Sequence, residues 1–211
     1  MGWICPWSRV FPLSIESCDS LEPFYGDVMK KINIHIGQLY ASKEPVVIQT
    51  LLGSCVAVCL YDPILCIGGM NHILLPGRAD LKHFDTVSRY GINAMELLIN
   101  RLMTLGGNRH HLIAKVFGGA HILPAISPEN GVGGKNIEFA LDFLRMEAIT
   151  IVSQDLGGHD TRRILFHTDT GDVYLKRIPS THNHRISQEE RRLMDLVRRK
   201  AEESGDITLF S

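Results

Sequence analysis

Three apolar runs rich in β-branched residues follow one another with only short breaks: VVIQTLL (46–52), CVAVCLY (55–61) and CIGGMNHILL (66–75). None keeps the strict polar–apolar alternation of a strand with one wet face. Runs of this kind predict strands covered on both faces, and hence a layered domain. The breaks fit that reading. Gly53-Ser54 separates the first two runs, Asp62-Pro63 follows the second, and Pro76-Gly77 ends the third, all of them turn signals.

Beyond a polar loop, Arg78 to Thr86, the period changes. Tyr90, Ala94, Leu97, Leu98, Leu102 and Leu105 fall at helical spacing, and Gly106-Gly107 is a natural stop. LIAKVFG (112–118) reads as a strand, followed by a Gly/Pro-rich loop, Gly119 to Gly134. A second helix runs through Ile137, Ala140, Leu141 and Leu144. AITIVSQDL (148–156) is a further strand, and RRILFHTD (162–169) with DVYLKRI (172–178) forms a hairpin across Thr170-Gly171. The expected fold is α/β, a layered sandwich of mixed β-sheets with two main flanking helices.

The flanks differ in character. Residues 1–31 read as a poorly structured extension broken by Pro6, Pro12 and Pro23, residues 32–179 as the folded domain, and residues 180–211 as a charged tail. Within the tail, Ser187 and Glu190 make a capping box ahead of a partly helical segment. A chain of 211 residues fits one such domain with appendages. Lys plus Arg is 22 and Asp plus Glu is 23, a formal net charge of −1, which argues against a nucleic-acid binder. No run reaches the roughly 18 apolar residues of a membrane span. The N-terminus has no basic region typical of a secretion signal, and Pro6 stands where a myristoylation motif wants Ser or Thr. Five cysteines with no CxxC pair point to a reducing compartment, the cytoplasm, and to no zinc site.

Chemistry centres on Cys55. It follows Gly53-Ser54 at the start of an apolar run, where a thiol can project into a cleft and backbone N–H groups can face a developing oxyanion. The plain alternative is a buried cysteine in a strand. His72, inside the apolar GGMNHILLP, is costly there unless its ring nitrogens find partners. If the two strands are neighbours, Cys55 and His72 face each other, and a histidine partner can draw a thiol down from its ordinary pKa of about 8.5. Thr50 is the candidate to orient the imidazole, through its hydroxyl or its carbonyl.

The sequence resembles the chemoreceptor glutamine deamidase family, CheD. The resemblance rests on TLLGSCVAVCLYDP (50–63), GGMNHILLPG (68–77), YGINAMELLINRLMTLGG (90–107), AKVFGGAHI (114–122), GVGGKNIEFALDFL (131–144) and DLGGHDTRRILFHTDTGDVYLKRI (155–178). It covers about residues 34–178, and the combination of GSC, a histidine two strands on, GGA and GxKN is specific. The chain reads TLLGSC where family members often read TLGLGSC.

The resemblance implies a catalytic triad of Cys55, His72 and Thr50. Cys55 attacks the side-chain amide of a receptor glutamine, backbone donors near Gly53, Ser54 and Cys55 steady the oxyanion, and His72 protonates the leaving ammonia and then activates water. It implies no cofactor and no metal. The partners implied are cytoplasmic helices of methyl-accepting chemotaxis receptors and a CheC-type phosphatase. Gly118-Gly119-Ala120 and Gly131 to Asn136 are expected to line the groove for a receptor helix, or else to serve turns and a helix start. The rival reading is a non-catalytic adaptor that binds and regulates the phosphatase; a third is a transglutaminase-like or protease activity of the same thiol. Elsewhere, His110-His111, His182 and His184 read as surface histidines, Cys59 and Cys66 as core residues on apolar strands, and Asp155 with His159 as turn residues.

Overall fold

All three apolar runs become strands, the second and third in a sheet covered on both faces and the first in an outer sheet, where Leu51 is exposed. In the computed structural model they are β3 (Val46–Leu52), β4 (Val56–Asp62) and β5 (Ile67–Ile73). Every residue of β4 and β5 is buried, which is why neither run alternates polar with apolar residues. The structure describes residues 29–75, 81, 86–121 and 131–179, with 192, 195 and 199. The expectations for residues 1–28, most of the Arg78–Thr86 loop, the middle of the Gly/Pro-rich loop, His182, His184 and the capping box at Ser187 lie outside the described residues.

The remaining elements are β1 (Lys30–Asn33), β2 (Leu39–Ser42), α1 (Thr86–Thr104), a short 3-10 turn at Arg109–His111, β6 (Ile113–Gly118), α2 (Val132–Met146), β7 (Thr150–Leu156), β8 (Thr161–His167) and β9 (Val173–Ile178). They form two mixed sheets, ordered β1-β3-β8-β9 and β2-β5-β4-β6-β7. Both sheets contain one parallel pair, β1 with β3 and β6 with β7. β8 and β9 make the expected hairpin.

Two cores hold three layers together. Ile48 and Leu52 of β3 and Ile164 and Phe166 of β8 meet Ala57, Cys59 and Met70 of the five-stranded sheet. On that sheet's other face, Val56, Val58 and Leu60 meet Met95, Leu98 and Leu102 of α1 and Phe139, Phe143 and Leu144 of α2. Each such large side chain contributes roughly 1.5–3 kcal/mol on burial. The mixed-sheet sandwich with two flanking helices is therefore the architecture observed.

Three details differ from the sequence reading. Strands β1 and β2 had no expected counterpart. They are four residues each, and β1 is mostly exposed, so neither carries a readable apolar pattern. α1 starts at Thr86, one turn before its first expected apolar residue. Cys66 lies in the turn between β4 and β5 with φ 55°, half-buried, and not on a strand.

Candidate active site

The site follows from strand alternation. Along β4, Val56, Val58 and Leu60 face the helices, so Cys55, Ala57, Cys59 and Tyr61 face the seam between the sheets. Along β5, Met70 and Leu74 belong to the same seam, which turns His72 between them in that direction. Ala57 pairs directly with His72, which makes Cys55 the diagonal neighbour of His72 on one face, a placement within reach of a long side chain. Thr50 enters from the other sheet: it stands on β3 between Ile48 and Leu52, both in the seam.

Thr50 and His72 meet across the two sheets, with Oγ1 2.8 Å from Nδ1. The Thr50 hydroxyl donates to the Ile34 carbonyl at 2.8 Å. With its single proton committed there, Thr50 accepts from Nδ1–H, which fixes the tautomer and leaves the lone pair on Nε2. Nε2 is buried and has no hydrogen-bond partner among the described residues. A buried ring nitrogen without a partner is costly, and this one lies on the face that carries Cys55. The Ile34–Gln38 segment crossing between the sheets completes the hold on His72: Gly37 N–H donates to the His72 carbonyl at 2.8 Å, and His72 N–H to the Gln38 carbonyl at 3.0 Å.

Burial pushes the imidazole of His72 down to about 3; the charge of neighbouring His35 acts the same way, and the Ile34 backbone opposes both. His72 is therefore neutral near pH 7, a general base awaiting a proton and not half of a resting ion pair with the thiol. The linkage has a definite sign. An unfolded histidine takes its proton near pH 6.5 while the folded one resists until about 3, so this contribution to stability is present above pH 6.5 and is lost as pH falls toward 3. Urea unfolding between pH 4 and 6 is expected to show wild type losing stability faster than His72→Gln by up to about 1.4 kcal/mol per pH unit. Parallel slopes for the two proteins would contradict the depressed value.

The loop that carries Cys55 is braced from two sides. Asn136 of α2 donates from Nδ2 to the Ser54 carbonyl at 2.9 Å and accepts at Oδ1 from Leu75 N–H at 2.8 Å. Gly119 N–H donates to the Cys55 carbonyl at 2.7 Å, and Ala120 N–H to the Gly53 carbonyl at 2.8 Å. Gly118 sits opposite Val56, so closely that a Cβ on it would lie 2.2 Å from the Cys55 carbonyl oxygen. The residues expected to line a substrate groove, Gly118, Gly119 and Asn136, thus fix the Gly53-Ser54-Cys55 backbone. Cys55 has no exposed surface, and it projects into the seam, not into an open cleft.

Farther out, Arg162 reaches from β8 to Asp155 Oδ1 (2.7 Å) and the Gly157 carbonyl (2.7 Å), and Arg177 of β9 takes Asp155 Oδ2 (2.6 Å). Burial pushes the Asp155 carboxyl up, but the two guanidiniums outweigh it and hold it below the usual range. Asp155 is thus an ion-pair residue tying the sheets together, more than a turn residue. Gly157 N–H in turn donates to the Gly118 carbonyl at 2.9 Å. Cys59 is in the core as expected, and burial pushes its thiol well above its ordinary value. His111 stands 3.6 Å from the buried Asp62. No group of three or more His, Cys, Asp or Glu side chains among the described residues is arranged to hold a metal. No helix among them is long and apolar enough to cross a membrane. Sequence reasoning did not single out His35, which carries no motif, or the Ile34 carbonyl, which only the crossing segment brings to Thr50.

Comparison with known proteins identifies the family. A family model described as CheD chemotactic sensory transduction matches residues 74–177. The "Probable chemoreceptor glutamine deamidase CheD 1" of Shewanella oneidensis is 44% identical over 181 residues, 85% of this chain and 87% of its own length. A protein of Vibrio vulnificus named "Probable chemoreceptor glutamine deamidase CheD" is 38% identical over 187 residues, 85% of this chain and 86% of its own length. Its namesake in Hahella chejuensis is 40% identical over 206 residues, 94% of this chain and 95% of its own length. Similarity of this extent, across most of both chains, makes this protein a member of the CheD family.

Proposed function

We propose that this chain hydrolyses specific glutamine side chains of methyl-accepting chemotaxis receptors to glutamate, releasing ammonia, with Cys55 as nucleophile and His72 as base. The observation that carries the reading is the 2.8 Å bond from His72 Nδ1 to Thr50, which leaves Nε2, on the face of Cys55, without a partner among the described residues. The relatives named as chemoreceptor glutamine deamidases support the choice of substrate.

The steps balance without a metal or an organic cofactor. Nε2 takes the proton of the Cys55 thiol as the sulfur attacks the carboxamide carbon. The oxygen of that group becomes an oxyanion, steadied by backbone N–H donors of the Gly53-Ser54-Cys55 turn. When the intermediate collapses, the carbon–nitrogen bond breaks and the imidazolium gives its proton to the departing nitrogen as ammonia. A water, deprotonated by Nε2, then attacks the thioester and frees glutamate and the thiol. Thr50 keeps the ring aligned and steadies its charged form in between, as the orienting member of a triad does.

The proposed setting is the cytoplasm, with receptor helices as substrate and a CheC-type phosphatase as a further partner. Incubating a receptor cytoplasmic fragment with the protein is expected to raise its mass by about one dalton per modified glutamine, the difference between an amide and an acid, with matching ammonia release. An unchanged mass, or a cut or crosslinked product, would overturn the reading.

A further inference from the structure

We propose that Tyr90 is a further catalytic residue, its phenolic hydroxyl donating a hydrogen bond to the oxygen of the substrate carboxamide as that oxygen takes on negative charge. This rests on the Cys55–His72 reading above and adds a residue to it.

The register of α1 across β5 places Tyr90. Leu98 lies against Gly69, where a Cβ would be 2.8 Å from its Cδ1, and the Ala94 carbonyl accepts from Asn71 Nδ2 at 3.3 Å. Each helical turn back along α1 thus advances two residues along β5. One more turn brings Tyr90 to the level of Ile73, which pairs with Val56, the neighbour of Cys55. Two other contacts agree. The Tyr90 hydroxyl faces Gly37, 3.6 Å from where a Cβ there would be, and Gly37 N–H holds the His72 carbonyl. Gly91 packs against the Phe139 ring of α2, one turn beyond Asn136, which holds Ser54.

Tyr90 therefore approaches from the helix layer while Thr50 and His72 sit between the sheets, so the base and the phenol reach the reacting group from different sides. Burial, then the charge of Cys55, pushes the Tyr90 phenol up; it stays protonated near pH 7 and lies within the field of that sulfur. Tyr61, by contrast, commits its proton to the Asp169 carbonyl at 2.7 Å. A half-buried phenol with a proton to give, reaching from the helix layer to Gly37 at the level of the strand end that carries Cys55, matches the donor that a developing oxyanion needs.

Tyr90→Phe removes only the oxygen. Its kcat on the receptor fragment is expected to fall about 30- to 300-fold, the range for loss of one oxyanion donor, with KM and the thermal midpoint close to wild type. The rate of Cys55 alkylation by iodoacetamide is expected to stay within about twofold, because the phenol acts on the intermediate and not on the thiol. Unchanged kcat, a loss confined to KM, an equal fall in alkylation, or an unfolded variant would each overturn the proposal. Cys55→Ala run alongside separates the two readings. Turnover by that variant sinks the nucleophile assignment, whereas an inert Cys55→Ala with a fully active Tyr90→Phe sinks only the role of Tyr90.

Discussion

Cys55→Ala is expected to abolish ammonia release and the mass gain on receptor fragments while leaving the fold in place. In the proposed reaction the sulfur makes the covalent intermediate, so no other group in the seam replaces it, and loss of a nucleophile typically lowers kcat by about 10⁴-fold or more. The cost to stability is small because only one atom leaves a buried position, of order 1 kcal/mol. Cys59→Ala is the matched control. Cys59 is as deeply buried and on the same face of β4, but burial keeps its thiol protonated, and activity is expected within about threefold of wild type, as for a change away from the reacting atoms. A Cys55→Ala protein that still deamidates would remove the nucleophile. One that binds and modulates a CheC-type phosphatase as wild type does, beside a wild type that also leaves receptors unmodified, would favour the adaptor.

Gly118→Ala is expected to be the most damaging glycine-to-alanine change among the described residues. Gly118 has φ 112°, a region open mainly to glycine. The added carbon would meet the Cys55 carbonyl oxygen at 2.2 Å and the Leu52 side chain at 3.3 Å. Backbone cannot yield cheaply here, because Gly119 N–H holds that same carbonyl. Strain and clash together are expected to cost about 3–5 kcal/mol, read as a large drop in thermal midpoint. Any folded fraction would hold Cys55 displaced, with activity down at least about 100-fold. Gly157→Ala separates strain from clash: its φ is 72° but nothing lies within 4 Å of the added carbon, so only about 1–2 kcal/mol is expected. Near-normal stability and turnover for Gly118→Ala would show that the close approach is unimportant.

The sandwich was legible where the strands are mostly apolar and buried. Residues 46–52 match β3 without a shift, and the runs at 55–61 and 66–75 differ from β4 and β5 by one or two residues at either end. Burial of both faces makes the continuous runs of β4 and β5; β3, expected to be covered on both faces, lies in the outer sheet and leaves Leu51 exposed. β1 and β2 were not legible, because Lys30-Lys31 and Leu39–Ser42 owe their strand state to pairing with β3 and β5 and not to their own pattern. At the site, the identities of Cys55 and His72 stood out as polar or reactive groups in apolar surroundings. Thr50 stood out less, and the choice between its hydroxyl and its carbonyl had to come from coordinates: the hydroxyl reaches the ring. Tyr90 was visible only as an apolar position of a helix, since periodicity registers the ring and ignores the oxygen. Asn136 looked like a substrate contact because the sequence cannot tell which backbone groups lie beside an amide.

The bond from Thr50 to His72 joins residues of two different sheets. Its length therefore measures how the outer sheet is seated on the inner one. A change far from the thiol that lets one layer slip by an ångström, such as loss of the Arg162–Asp155 clasp, would leave a protein that melts as a folded unit yet turns over slowly, silenced by misalignment and not by any missing group.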